Sequence, residues 1–135
     1  MPAYSTTPLA QKLGIKAGFA VKLVNAPDYY FNLFTDLPTD LILTADENQK
    51  KDFIHFFTKS KSEYTSQLPV LKNQLKPNGM LWVSWPKKAS KVPTDITEDI
   101  IRNYAIEKGL VDIKVCSVDE IWSGLKLVIP VKQRS

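Results

Sequence analysis

The sequence predicts an α/β fold, a three-layer sandwich around a mainly parallel sheet of about six strands with an antiparallel strand near the C-terminus. Three observations carry this. Strand-like and helix-like patterns alternate along the chain. The runs Phe53–Phe57 and Met80–Trp85 have no polar face, as strands covered on both sides do not. The last two strand patterns are joined only by Asp119–Ser123, too short a link for a parallel crossover. With 135 residues, 24% charged and 44% hydrophobic, the chain is expected to form one domain, 1–135.

Thr7–Gly14 reads as a short helix, with Thr7 as cap, Pro8 in the first turn and Gly14 as stop. Phe19–Val24 reads as a strand with Val21 and Leu23 on one face and Ala20, Lys22 and Val24 on the other. Asn25-Ala26-Pro27 turns the chain. Asp28–Phe34 is expected to be helical, burying Tyr30, Phe31 and Phe34. Leu41–Thr44 is a short strand, and Phe53–Phe57 a central one. Ser60-Lys61-Ser62-Glu63 is a capping box. The helix behind it buries Tyr64, Leu68, Leu71 and Leu75, is kinked or split at Pro69, and stops at Pro77-Asn78-Gly79. After the strand Met80–Trp85, Asp95-Ile96-Thr97-Glu98 is a second capping box, with Asp95 as cap. Ile100, Ile101, Tyr104 and Ala105 form the buried face of its helix, and Gly109 ends it. Leu110–Val118 is expected as an edge strand, Val111, Ile113 and Val115 alternating with Asp112, Lys114 and Cys116. Gly124–Ile129 is the last strand.

Composition excludes several functions. One cysteine and one histidine preclude an intrachain disulfide and the usual Cys/His zinc site. Five scattered glycines exclude both G-x-G-x-x-G and the Walker A loop. The net charge of +4 comes almost wholly from dispersed lysines, with two arginines, which argues against nucleic acid as a partner. Met1–Thr7 does not read as a signal peptide, and no apolar run is long enough to span a membrane. The expected setting is the cytoplasm.

The candidate site lies where strands end. In open α/β sheets ligands bind beyond the carboxyl ends of the strands. Trp85-Pro86-Lys87-Lys88-Ala89-Ser90-Lys91 follows a central strand there. Its lysines, with hydroxyls of Ser90 and Thr94, could hold a phosphate or carboxylate, or the loop could be solvated with Trp85 as a lid on the core. Asn25 and Lys59-Ser60 end neighbouring strands and are expected to face the same crevice. Asp119 and Glu120 could act as an acid/base pair. Trp122 could anchor a partner or cover the sheet edge. His55, in mid-strand, reads as a buried, hydrogen-bonded core residue. Cys116 lacks the basic sequence neighbours of an activated thiolate. Lys22 and Lys126, on internal strands, point to incomplete helix cover on one face or to self-association.

The Leu75-Lys76-Pro77-Asn78-Gly79-Met80-Leu81 turn into a strand is similar to the late L-K-P-G-G turn of class I methyltransferases. That resemblance implies a Rossmann-like sheet in the order 41–44, 19–25, 53–58, 80–85, 124–130, 110–118, with one helix–strand unit missing. The whole chain also resembles a family of short bacterial proteins of unknown function. The resemblance is carried by Tyr4-Ser5 with Thr7–Ala10, Asn25-Ala26-Pro27, Leu81–Lys88, Asp95–Asp99 and Lys114–Lys126. Methyltransferases follow their first strand with a glycine-rich turn. Here that turn is Asn25-Ala26-Pro27-Asp28, so no S-adenosylmethionine, and no cofactor, is expected. Asp46 or Glu47 stands where those enzymes place an acid on the ribose, and is equally a polar loop end. The expectation is a binding or protein-interaction module with an unknown protein partner or a small anionic ligand. The alternative is a reduced methyltransferase-like enzyme.

Overall fold

The computed structural model describes residues 7–134. The segment read for targeting, 1–6, and with it Tyr4-Ser5, lies outside the described residues. Six strands form one sheet: β1 (Ala20–Val24), β2 (Ile42–Leu43), β3 (Lys51–Phe57), β4 (Leu75–Pro86), β5 (Val111–Ser117) and β6 (Trp122–Val128). Their order is β2-β1-β3-β4-β6-β5. The first four are parallel, and β6 runs antiparallel to both β4 and β5. This is the order the sequence implied.

Alternating side chains divide the sheet into two faces. On one, Ile54, Phe56, Leu81, Val83, Leu125 and Leu127 pack under α2 (Lys61–Lys72) and α3 (Glu98–Glu107). On the other, Val21, Phe53 and Trp82 pack under α1 (Leu9–Leu13). Beside them Tyr30, Phe57, Val118 and Trp122 cluster under a single 3-10 turn, Tyr30–Leu33. That turn replaces the helix expected over 28–34, and Phe31 is 47% exposed rather than buried.

Capping departs from the sequence reading because it acts across the fold. The first-turn amides of α1 at Ala10 and Gln11 donate to the Asp36 carboxylate, each at 3.1 Å, the role expected of Thr7. The amide of Lys61 donates to Asp95 Oδ1 at 2.7 Å, so Asp95 joins Ser60 in capping α2, while Thr97 caps α3. Pro69 does not split α2. Proline has no N–H to offer the carbonyl four residues back, and Tyr104 Oη donates to that Thr65 carbonyl at 2.7 Å instead.

The helix ends at Lys72, and Leu75 already belongs to β4, paired with Lys51. The register then shifts, and a Cβ at Gly79 would stand 2.7 Å from the Lys51 carbonyl. A second shift, between Asp112 and Lys114, breaks the alternation expected of β5. Asp112 thereby reaches Arg102 on α3, while Lys114 lies opposite Lys126. Lys22 reaches Gln74 Oε1 at 2.9 Å. Lys126 has no such partner among the described residues, and burial and the nearby Lys114 and Lys16 push its pKa down. α1 has five residues, and a groove of about 880 Å³ remains between it and β5. No helix is long and apolar enough to cross a membrane among the described residues.

Candidate functional site

Beyond β1 the chain runs to the 3-10 turn on the α1 face. Beyond β3 it enters α2 on the opposite face. Divergence of two neighbouring strands' connections opens a crevice at their carboxyl ends. Here the crevice measures about 530 Å³ and is lined by Asn25, Pro27, Phe57, Thr58, Lys59, Ser60, Glu63 and Trp122.

Asn25 holds the turn after β1 in the left-handed conformation, φ 58°. Asparagine adopts this more readily than other residues with a side chain. Its amide is tied down, Nδ2 donating to Phe57 O and to Glu63 Oε2, both at 3.1 Å. Thr58 Oγ1 donates to the other oxygen, Glu63 Oε1, at 2.6 Å. Sequence reasoning missed Glu63 because it stood third after a capping serine. Half of that box is present: Ser60 Oγ accepts from the Glu63 amide at 3.2 Å. In the other half Thr58 Oγ1 accepts from the Ser60 amide, also at 3.2 Å, which leaves the Glu63 carboxylate to line the crevice. Thr58, a hydroxyl two residues before the serine, was the available signal.

The remaining candidates do not converge there. Trp85 is buried in the core under α2 and α3. Lys87 Nζ donates to Ser117 Oγ at 2.6 Å, on the β5 side of the sheet. Lys88 is exposed in the short 3-10 turn Lys88–Ser90, and Ser90 Oγ closes that turn on Lys87 O at 2.6 Å. Thr94 Oγ1 donates to Lys59 O at 2.7 Å, a contact that fixes the backbone beside the crevice. The expected cradle of Lys59, Lys87 and Lys88 is therefore not assembled.

Asp119 and Glu120 do not form an acid/base pair. Asp119 Oδ1 accepts from the amides of Ile121 and Trp122 at 2.8 and 2.7 Å, and Oδ2 from Tyr29 Oη at 2.9 Å. Burial and this carboxylate push the Tyr29 hydroxyl pKa up. Glu120 is exposed. Trp122 is buried edge-on against Phe57, with ring centroids 5.1 Å apart, and so covers the sheet.

His55 lies beneath the crevice, stacked on Phe57 at 4.2 Å. Its Nδ1 shares a hydrogen bond with Tyr30 Oη at 3.0 Å, and its Nε2 with Ser84 Oγ at 2.8 Å. All three residues are buried, and burial takes the imidazole pKa from 6.5 to about 3. It is a core residue. Burial likewise pushes the Cys116 thiol up, against the nearby lysines 12, 114 and 87. At the end of β2, Asp46 Oδ1 accepts from the Asn48 amide at 2.9 Å, while Glu47 is exposed. No cluster of metal-ligating side chains occurs among the described residues.

No family model matches the sequence, and no curated protein matches it. Solved structures do share the fold. A candidate type 11 methyltransferase from Sulfolobus solfataricus superposes with TM-score 0.66 at 15% identity, over 94% of this chain and 92% of that one. A SAM-dependent methyltransferase from Aquifex aeolicus gives TM-score 0.61 at 17% identity, over 89% and 87%. The 1,6-didemethyltoxoflavin-N1-methyltransferase of Burkholderia thailandensis, solved with bound S-adenosylhomocysteine, gives 0.57 at 12%, over 88% and 73%. These neighbours overturn the expectation of no cofactor, which rested on one missing glycine turn. The chain has the methyltransferase-like Rossmann fold, six strands with an antiparallel C-terminal pair.

Proposed function

We propose that the chain is a reduced methyltransferase-like domain that binds S-adenosylmethionine, or the S-adenosylhomocysteine left after methyl transfer, in the crevice between β1 and β3. The observation that carries the reading is the place of the crevice, at the switch point of a fold shared with SAM-dependent methyltransferases. Its residues fit the amino-acid end of such a ligand. The Glu63 carboxylate is oriented by Thr58 and Asn25 and suits an ammonium. Lys59 is exposed at the rim and suits a carboxylate. Asn25 supplies the chain reversal that a glycine turn would otherwise make. The fit is poorer at the ribose end, where Asp46 is engaged by its own turn and Glu47 alone is free to serve. Within the same proposal, the chain groups with the short bacterial proteins that its motifs resemble and works in the cytoplasm.

Calorimetric titration with each adenosyl compound tests this, on the native chain and on Lys59→Ala and Glu63→Gln. A charged hydrogen bond is worth about 1.5–3 kcal/mol, so each variant should bind at least about tenfold more weakly. Native protein saturated to 100 times the dissociation constant should gain about 2.7 kcal/mol, read as a rise in melting temperature. The absence of both heat and thermal shift at millimolar ligand would overturn the reading. A second reading, an interaction module, is supported by the β2 edge of the sheet, where Phe31, Ile42 and Leu43 are each about half exposed.

A further inference from the structure

Three lysines from three parts of the fold meet at the end of β5. Lys12 of α1 donates from Nζ to Ser117 O at 3.0 Å, and Lys87, beyond β4, donates to Ser117 Oγ at 2.6 Å. Lys114 lies on β5 itself. All three act on the thiol of Cys116 as neighbouring positive charges. Lys16 and Lys126 continue the cluster, since Lys16 and Lys114 both repel the Lys126 ammonium. The ion pairs among the described residues belong to Lys76 and Arg102, so none of these five lysines is ion-paired with a described carboxylate. An anion in the groove can pair with ammonium groups that no described carboxylate holds. The groove between α1 and β5 opens beside them, with room for a small molecule and with Leu9 and Val115 in its wall.

We propose that this groove binds a small molecule through a phosphate group held by Lys12 and Lys114, which line it, with Lys87 beside them on Ser117. Several neighbouring ammonium groups suit the several oxygens of a phosphate. Asp119 and Glu120 also line the groove and would repel an extended polyanion such as a nucleic-acid strand. The site is distinct from the crevice: Val118–Glu120 line the groove, and Trp122, beyond that turn, lines the crevice. It stands whether or not the crevice holds an adenosyl ligand.

The test is a titration of isotope-labelled native chain with pyrophosphate and inorganic phosphate at constant ionic strength, following backbone amide shifts. Saturable shifts confined to Lys12, Lys114 and Cys116–Val118 are expected. Lys114 is exposed on the edge strand, so Lys114→Gln should keep its spectrum elsewhere while weakening pyrophosphate binding about tenfold or more, the loss of one charged hydrogen bond. Glu63→Gln should bind pyrophosphate as the native chain does, which separates this site from the crevice. Shifts spread evenly over distant lysines such as Lys59 and Lys108 would overturn the proposal, as would Lys114→Gln binding unchanged. Tighter binding of a single-stranded oligonucleotide with steep salt dependence would overturn it in favour of a nucleic-acid surface.

Discussion

Acidification should destabilise this protein through His55 before its carboxylates titrate. The imidazole is fully buried between two buried hydroxyls, on Tyr30 and Ser84. Neutral, it donates from one nitrogen and accepts at the other. Protonated, it donates from both, so each hydroxyl must accept from it and point its own proton into the core. Burial depresses its native pKa to about 3, against 6.5 for the free group. A depressed native pKa means that the unfolded chain binds the proton first as pH falls. The stability is fully present above pH 6.5 and is lost between 6.5 and about 3. At 1.36 kcal/mol per unit, the loss from pH 7 to pH 5 is about 2 kcal/mol. Urea unfolding of the native chain and of His55→Gln at both pH values measures it. The variant starts lower, by roughly 1–3 kcal/mol for a disturbed buried network, but should lose about 2 kcal/mol less over this interval. Equal losses in the two proteins would refute the assignment.

Tyr104→Phe should cost about 1 kcal/mol by uncovering the Thr65 carbonyl, and less in a Pro69→Ala background, where an amide returns to that carbonyl; chemical denaturation of the four proteins gives the coupling. Asp36→Ala should cost about 1–2 kcal/mol and raise amide exchange at Ala10 and Gln11, both of which donate to it. Gly79→Ala should cost about 1–3 kcal/mol, because its methyl group would meet a backbone carbonyl on β3 that cannot move without breaking the ladder; a thermal melt suffices to show it.

The sheet was legible in the sequence because strand patterning depends on which faces are covered. Phe53–Phe57 and Met80–Trp85 have apolar residues on both faces, broken only by His55 and Ser84, and both proved central. The break in β5 was not legible, since Val111, Ile113 and Val115 keep a perfect alternation across it. Asn25, Lys59 and Ser60 were found because any residue ending a strand near the switch point faces the crevice. Lys87 was misplaced because a long side chain leaving a strand end follows its partner, here Ser117. Asp36 and Asp95 were hidden for a related reason: each caps a helix about 25 or more residues away. Local rules name the residue types that cap, and only the fold says which helix each one serves.

The anchoring of α1 has a consequence for synthesis. Five residues are too few to hold a helix in water. What holds this one is supplied later in the chain: Asp36 for its first amides, the Trp82 indole for the Leu13 carbonyl at 2.8 Å, and Ser117 for the Lys12 ammonium. At about 5–20 residues per second, roughly 5–20 s separate the translation of Lys12 from that of Ser117. During that interval the surface that Leu13 and Ile15 bury against, Val21, Phe53 and Trp82, is only partly assembled. This early segment is thus among the last to dock fully, and the nascent chain depends on whatever shields those apolar side chains until β4 and β5 have emerged.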